Sequence, residues 1–143
     1  MDYIKIVKST LNDKSLKLVV MKDNKVVAVS EERGIKPLYT VYTENLDLLE
    51  GAYVADRATG KAAAMLLVNG KIKGLYTDLI SEVAIKVLEE NSIPYESKKV
   101  VPFILNRDGS DKCPIEKLSE DVIEVDELLV RIKKFLNGIN NSK

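Results

Sequence analysis

The stretch that decides the fold is Ala55-Asp56-Arg57-Ala58-Thr59-Gly60-Lys61-Ala62-Ala63-Ala64-Met65-Leu66-Leu67, in which a charged segment runs directly into an alanine-rich apolar one. A helix made of Ala62 to Leu67 is apolar on every side, so it belongs inside the molecule, between other layers. Its N-terminal end exposes unpaired N–H groups and the positive pole of the helix dipole. Asp56, Arg57 and Lys61 gather there, so the start of the helix reads as a place to hold an anion.

Working outward, the segment on the C-terminal side alternates between strand and helix. Asn69-Gly70 stops the apolar helix, and Ile72-Lys73-Gly74-Leu75-Tyr76-Thr77 reads as a strand. Ser81 caps a helix over 81–90, with Glu82 in its acidic first turn. Ile93-Pro94-Tyr95-Glu96 reads as a further strand. Short connections of this kind form βαβ units, so these two strands are expected to be parallel neighbours.

On the N-terminal side, Ile4, Val7 and Leu11 space a short amphipathic helix over 2–11. Leu16–Met21 and Val26–Ser30 are β-branched runs separated by Lys22-Asp23-Asn24-Lys25, a hairpin signature. Pro37 opens a second amphipathic helix through Leu38, Val41, Tyr42, Asn45 and Leu49, which Gly51 ends. Residues 52–55 read as a link. The expected fold is α/β, a three-layer α/β/α sandwich with a mixed sheet.

Beyond Lys99, Val100–Leu105 is an apolar stretch interrupted by Pro102, readable as an edge strand or a buried loop. Asn106–Lys112 is a polar loop. Cys113 stands at the N-cap of a short helix that Pro114 opens, with Glu116 in its first turn. A last amphipathic helix covers 126–136, and the tail 137–143 is expected to fray. The 143 residues suit a single domain, residues 1–143.

The totals exclude several functions. Lys+Arg 22 balance Asp+Glu 22, so no basic footprint recruits nucleic acid, and the scattered tyrosines do not form a base-stacking platform. The chain has no histidine and a single cysteine, which excludes the usual zinc sites, His-based catalysis and an internal disulfide. No metal or cofactor is expected. The N-terminus has no signal-peptide pattern and no apolar run approaches membrane length, so a cytoplasmic protein with no membrane partner is expected.

The Asp56–Ala64 stretch, the Leu79-Ile80-Ser81-Glu82 helix start and Cys113-Pro114 together resemble a small uncharacterised prokaryotic family of the cytidine deaminase-like fold that lacks the zinc-binding motifs. The likeness covers about residues 1–136. Zinc deaminases carry a His/Cys-x-Glu motif and a Pro-Cys-x-x-Cys motif at two helix starts. The resemblance places residues 56–61 and 80–84 at those positions, and neither motif is present. It therefore implies the scaffold and a pocket where two helix N-termini meet the ends of parallel strands, without zinc-dependent deamination.

A phosphate loop is excluded as well, because Ala55 and Ala62 stand where a G-x-x-x-x-G-K-[ST] motif needs glycine and a hydroxyl. The candidate ligand-binding residues are Asp56, Arg57, Lys61, Ser81, Asn106 and Arg107, for a small anionic or nucleotide-like ligand. Glu82, with Asp56, is a candidate carboxylate base. Cys113, at a helix start near Lys112, is a candidate nucleophile. Two alternatives stand beside ligand binding: a transferase or sulfurtransferase-like enzyme using Cys113, and a regulatory module forming a homodimer through Val100–Leu105. The bland reading of each residue is structural, with Asp56 pairing locally and Ser81 and Glu82 serving as helix caps.

Overall fold

A computed structural model describes residues 2–141. The elements in chain order are α1 (Tyr3–Asp13), β1 (Leu18–Lys22), β2 (Lys25–Ser30), α2 (Lys36–Glu44), a single 3-10 turn (Leu46–Leu48), β3 (Tyr53–Thr59), α3 (Lys61–Asn69), β4 (Gly74–Ser81), α4 (Glu82–Glu90), β5 (Tyr95–Val101), α5 (Pro114–Ser119) and α6 (Val125–Asn141).

The strands form one five-stranded sheet in the order β2-β1-β3-β4-β5. β1 pairs antiparallel with both β2 and β3, whereas β3, β4 and β5 run parallel. The hairpin turns at Asp23 and Asn24, both at positive φ (53° and 62°). That is the backbone of a two-residue turn whose twist matches the flanking strands, and Asp and Asn tolerate it.

Burial explains the parallel half. β4 is buried or half-buried along its whole length, as a strand covered on both faces must be. Successive residues point to opposite faces. Val20, Val54 and Leu75 enter a large core with α3, while Val19, Ala55 and Tyr76 enter a smaller one with Val7 and Leu11 of α1. The large core also takes Leu38 of α2, Ala84 and Leu88 of α4, and Leu128 and Ile132 of α6.

The apolar helix lies where its composition puts it, with Ala62 to Leu67 all buried in α3. Leu66 and Leu67 are fully buried, each worth about 1.5–3 kcal/mol relative to exposure. Its alanines let the helix lie close to its neighbours.

Several boundaries differ from the sequence reading: the second helix, read through Leu49, ends at Glu44 and a 3-10 turn follows, and the strand read over 72–77 runs from Gly74 to Ser81. Residues 53–59, read as a link and a charged turn, form β3, the strand joining the antiparallel hairpin to the parallel half. Two adjacent charges break its apolar run, and pairing on both sides supplies what the composition lacks. Asp56 and Arg57 are therefore strand residues, and α3 begins only at Lys61, after Gly60. β5 extends past Glu96 to Val101, so Val100 belongs to an edge strand and the chain leaves the sheet before Phe103. The final helix passes through Asn137-Gly138 to Asn141 instead of ending at 136. Ser142 and Lys143 lie outside the described residues. Among the described residues no helix is long and apolar enough to cross a membrane.

Candidate functional site

A cavity of about 390 Å³ opens at the carboxyl-terminal part of β3, with the start of β1 and Asp78 of β4 in its walls. Such crevices are where open α/β sheets place their ligands, and the volume falls within the usual ligand-pocket range of about 300–1,000 Å³. β3 contributes Asp56, Arg57 and Ala58, α3 contributes Ala62 and Ala63, and β4 contributes Asp78. The loop after β2 supplies Glu32, Arg33 and Gly34, Leu18 opens β1 and Lys17 precedes it. Ile104, Cys113, Ile115 and Glu116 close the remaining side.

Among the described residues Asp56 carries the carboxyl most strongly shifted from its ordinary behaviour. The antiparallel register sets it opposite Leu18, on the large-core face. Its Oδ1 accepts the Arg57 backbone N–H at 2.8 Å. Burial, the largest influence, pushes the carboxyl up to about 7 against the lowering effect of that N–H and of the Arg57 guanidinium, and the nearby Asp78 charge raises it further. Near neutral pH this group can therefore either donate or accept a proton.

Arg57 lines the same cavity, but its guanidinium is occupied. It donates to Leu16 O (2.9 Å), Asn12 Oδ1 (2.9 Å), Leu11 O (3.1 Å) and Asp78 Oδ2 (3.0 Å). Asp78 also accepts from the Tyr76 hydroxyl at 2.6 Å. Desolvation raises its carboxyl, yet the hydrogen bonds from Tyr76 and Arg57 outweigh it and hold the group below the ordinary carboxylate value. The same partnership, after burial, lifts Tyr76 to about 12. The trio is a structural tie that fixes one wall.

The anion expected at the start of α3 is supplied by the chain itself. Glu116, 9% exposed, accepts the Lys61 backbone N–H at 3.2 Å through Oε1 and the Ile104 N–H at 2.8 Å through Oε2. A carboxylate from α5 thus caps a helix that has no capping side chain of its own. The contact requires Gly60, because a Cβ there would overlap Glu116 Oε1 and lie 2.9 Å from its Cδ.

Of the residues singled out by sequence, Asp56, Arg57 and Cys113 come together in the cavity wall. Lys61, Ser81, Glu82, Asn106 and Arg107 do not line it. The Lys61 ammonium turns to Glu120 O at 3.0 Å. Ser81 is buried, its Oγ accepting the Ala84 N–H at 3.1 Å as an N-cap, and Glu82 is exposed beside it. The parallel register pairs Thr59 with Ile80, so the starts of α3 and α4 lie side by side at the ends of β3 and β4, but only the start of α3 lines the cavity. The Asn106 side chain closes its own loop onto Ser110, and Arg107 is exposed there.

Cys113 is half-buried at the N-cap of α5, as its Cys-Pro spacing predicts. Val100, Phe103 and Leu105, from the proposed dimer segment, are 50%, 38% and 46% exposed. Sequence reading missed Lys17, Glu32, Arg33, Asp78 and Glu116 as wall residues. They come from distant segments, and only Glu116, acidic just after Cys-Pro, carried a local signal. Among the described residues no group of three or more His, Cys, Asp or Glu side chains is arranged to hold a metal.

Residues 6–136 match the family model described as a domain of unknown function, DUF1893. Among solved structures the chain is similar to a DUF1893 family protein from Thermotoga maritima, with a TM-score of 0.84 and 26% identity over 94% of this chain and 90% of that one. No curated protein matches it.

Proposed function

We propose that this chain, which belongs to the DUF1893 family, holds a small anionic, nucleotide-like molecule in the cavity at the carboxyl-terminal part of β3, on a three-layer α/β/α scaffold of the cytidine deaminase-like kind. The scaffold reading is supported by the strand order β2-β1-β3-β4-β5 with its antiparallel hairpin and parallel half. The ligand reading is carried by one arrangement: a desolvated carboxyl, Asp56, in a cavity whose walls are otherwise largely apolar and which two uncommitted cations also line.

Ile35, Leu38, Ile104 and Ile115 suit the faces of a planar ring. Lys17 and Arg33 form no ion pair among the described residues, so both remain for a phosphate or carboxylate. Arg33 is exposed and Lys17 half-buried, which sets the charged end of the ligand outward. Lys61, Asn106 and Arg107, which lie outside the wall, are proposed to act only through the loops and helix start they hold. Ser81 and Glu82 are proposed to play the same part at α4.

Thermal stability in the presence of nucleoside 5′-monophosphates, nucleosides, sugar phosphates and inorganic phosphate tests this directly. At a hundred times its dissociation constant a ligand adds about 2.7 kcal/mol. The expected result is a selective gain that Arg33→Ala or Lys17→Ala weakens and Lys61→Ala leaves in place. A flat response to every compound overturns the reading.

A second reading rests on Cys113 lining the same cavity. There the thiol serves as the nucleophile of a transferase-like reaction, with Asp56 as its proton acceptor. A Cys113 that reacts with iodoacetamide no faster than free cysteine at neutral pH counts against it.

A further inference from the structure

Taking the cavity as a small-anion site, its charges also specify how the ligand is read. Asp56 Oδ1 is taken by the Arg57 N–H, and Oδ2 has no protein partner among the described residues. The charged and titratable groups around it come from every wall. Arg57 adjoins it on β3 and Asp78 lies on β4, Lys17 precedes β1, Glu32 and Arg33 lie in the loop after β2, Cys113 is the N-cap of α5 and Glu116 lies in α5.

Arg57 gives its guanidinium to four other acceptors. Glu116 is a carboxylate fixed by two backbone amides. Among the described residues Lys17 and Arg33 are the cavity's uncommitted cations, and once the ligand's anionic group engages them none is left to neutralise Asp56, while three further carboxyl side chains share the space. An incoming anion adds negative charge to this set, and a like charge nearby disfavours ionisation of a carboxyl.

We infer that the ligand is bound together with a proton: its anionic group lies toward Lys17 and Arg33, and its inner end presents a neutral hydrogen-bond acceptor, a ring nitrogen or carbonyl, to Asp56 held as the carboxylic acid. A ligand whose inner end is an amine or other cation would demand the carboxylate instead. The site thus selects anions with an acceptor-bearing ring over amino-terminated ones of equal size.

Titration calorimetry with the four common nucleoside 5′-monophosphates tests this. At about pH 8 a phosphomonoester is already fully ionised, so any proton uptake there belongs to the protein. Measured in buffers of different ionisation heat, binding is expected to take up close to one proton. Affinity is expected to fall about tenfold from pH 6 to 8 beyond the ligand's own titration, because only the protonated site binds.

Asp56→Asn donates through its amide without titrating, so it should bind with no such fall. Binding with no uptake, or with proton release, overturns the inference while leaving the anion site standing. Absence of binding by all four nucleotides at every pH overturns the inference, and together with a flat response to sugar phosphates and inorganic phosphate it overturns the anion site as well. Should Asp56→Asn fail to fold, the buffer dependence of the unaltered protein decides alone.

Discussion

At the scale of single residues, Asp56 leaves a signature in stability that needs no ligand. Folded, its carboxyl keeps the proton up to about pH 7, whereas the ordinary value is 3.8. Between those limits the folded state binds more protons than the unfolded one, so this residue makes stability decline as pH rises through the window. The slope is at most about 1.4 kcal/mol per pH unit. Asp78 acts in the opposite sense and lower: its depressed value contributes stability that is lost only as pH falls below the ordinary carboxylate range. Asp56→Asn keeps the shape and removes the charge, so its stability relative to the unaltered chain should be higher at pH 8 than at pH 5. Urea midpoints at the two pH values check this, and an equal separation at both would show that Asp56 ionises freely.

At the scale of elements, the clip between α5 and α3 determines whether the cavity has a fourth wall. Glu116 satisfies the amides of Lys61 and Ile104 at once, and surface pairs of Lys112 with Glu120 and Lys117 with Asp111 brace the same segment. Those exposed pairs are worth little individually. Glu116→Ala leaves two poorly solvated donors without an acceptor, at a cost of about 1–3 kcal/mol. Amide exchange at Lys61 and Ile104 should accelerate markedly in that variant, while exchange within β4 stays slow. Unchanged exchange at the two amides would show that the clip holds nothing.

Local chemistry also set which elements could be read from sequence. The Asp23-Asn24 turn, the Ser81 cap, the Cys113-Pro114 start and the all-apolar α3 each announce themselves within a few residues. β3 does not, since Asp56-Arg57 looks like a surface turn until its partners are known. Those partners are Leu11, Asn12, Leu16 and Asp78, as far as 46 positions away. The candidate site was legible to the same extent: Asp56 and Cys113 carry chemistry visible in isolation, whereas Lys17, Glu32 and Arg33 become wall residues only through the tertiary fold.

At the scale of the molecule, Arg57 ties the end of α1 and the turn after it to the middle of the sheet. α1 belongs to the smaller core. Arg57→Ala removes four hydrogen bonds and leaves Asp78 uncompensated, at a cost of about 2–4 kcal/mol. The loosening should be uneven, with exchange rising in α1 before α4. Arg57→Lys, which keeps the charge but not the fork, should recover only part of it. A uniform loss across both helices would deny the tie. The order of the sheet has a consequence for synthesis. From β3 onward every strand docks on one already made, so the sheet can grow outward as the chain leaves the ribosome. The cavity cannot form that way: its walls run from Lys17 to Glu116, and it exists only once α5 has emerged. A small molecule of the kind proposed would therefore meet a nearly finished protein, and would protect that protein afterwards without guiding how its sheet was built.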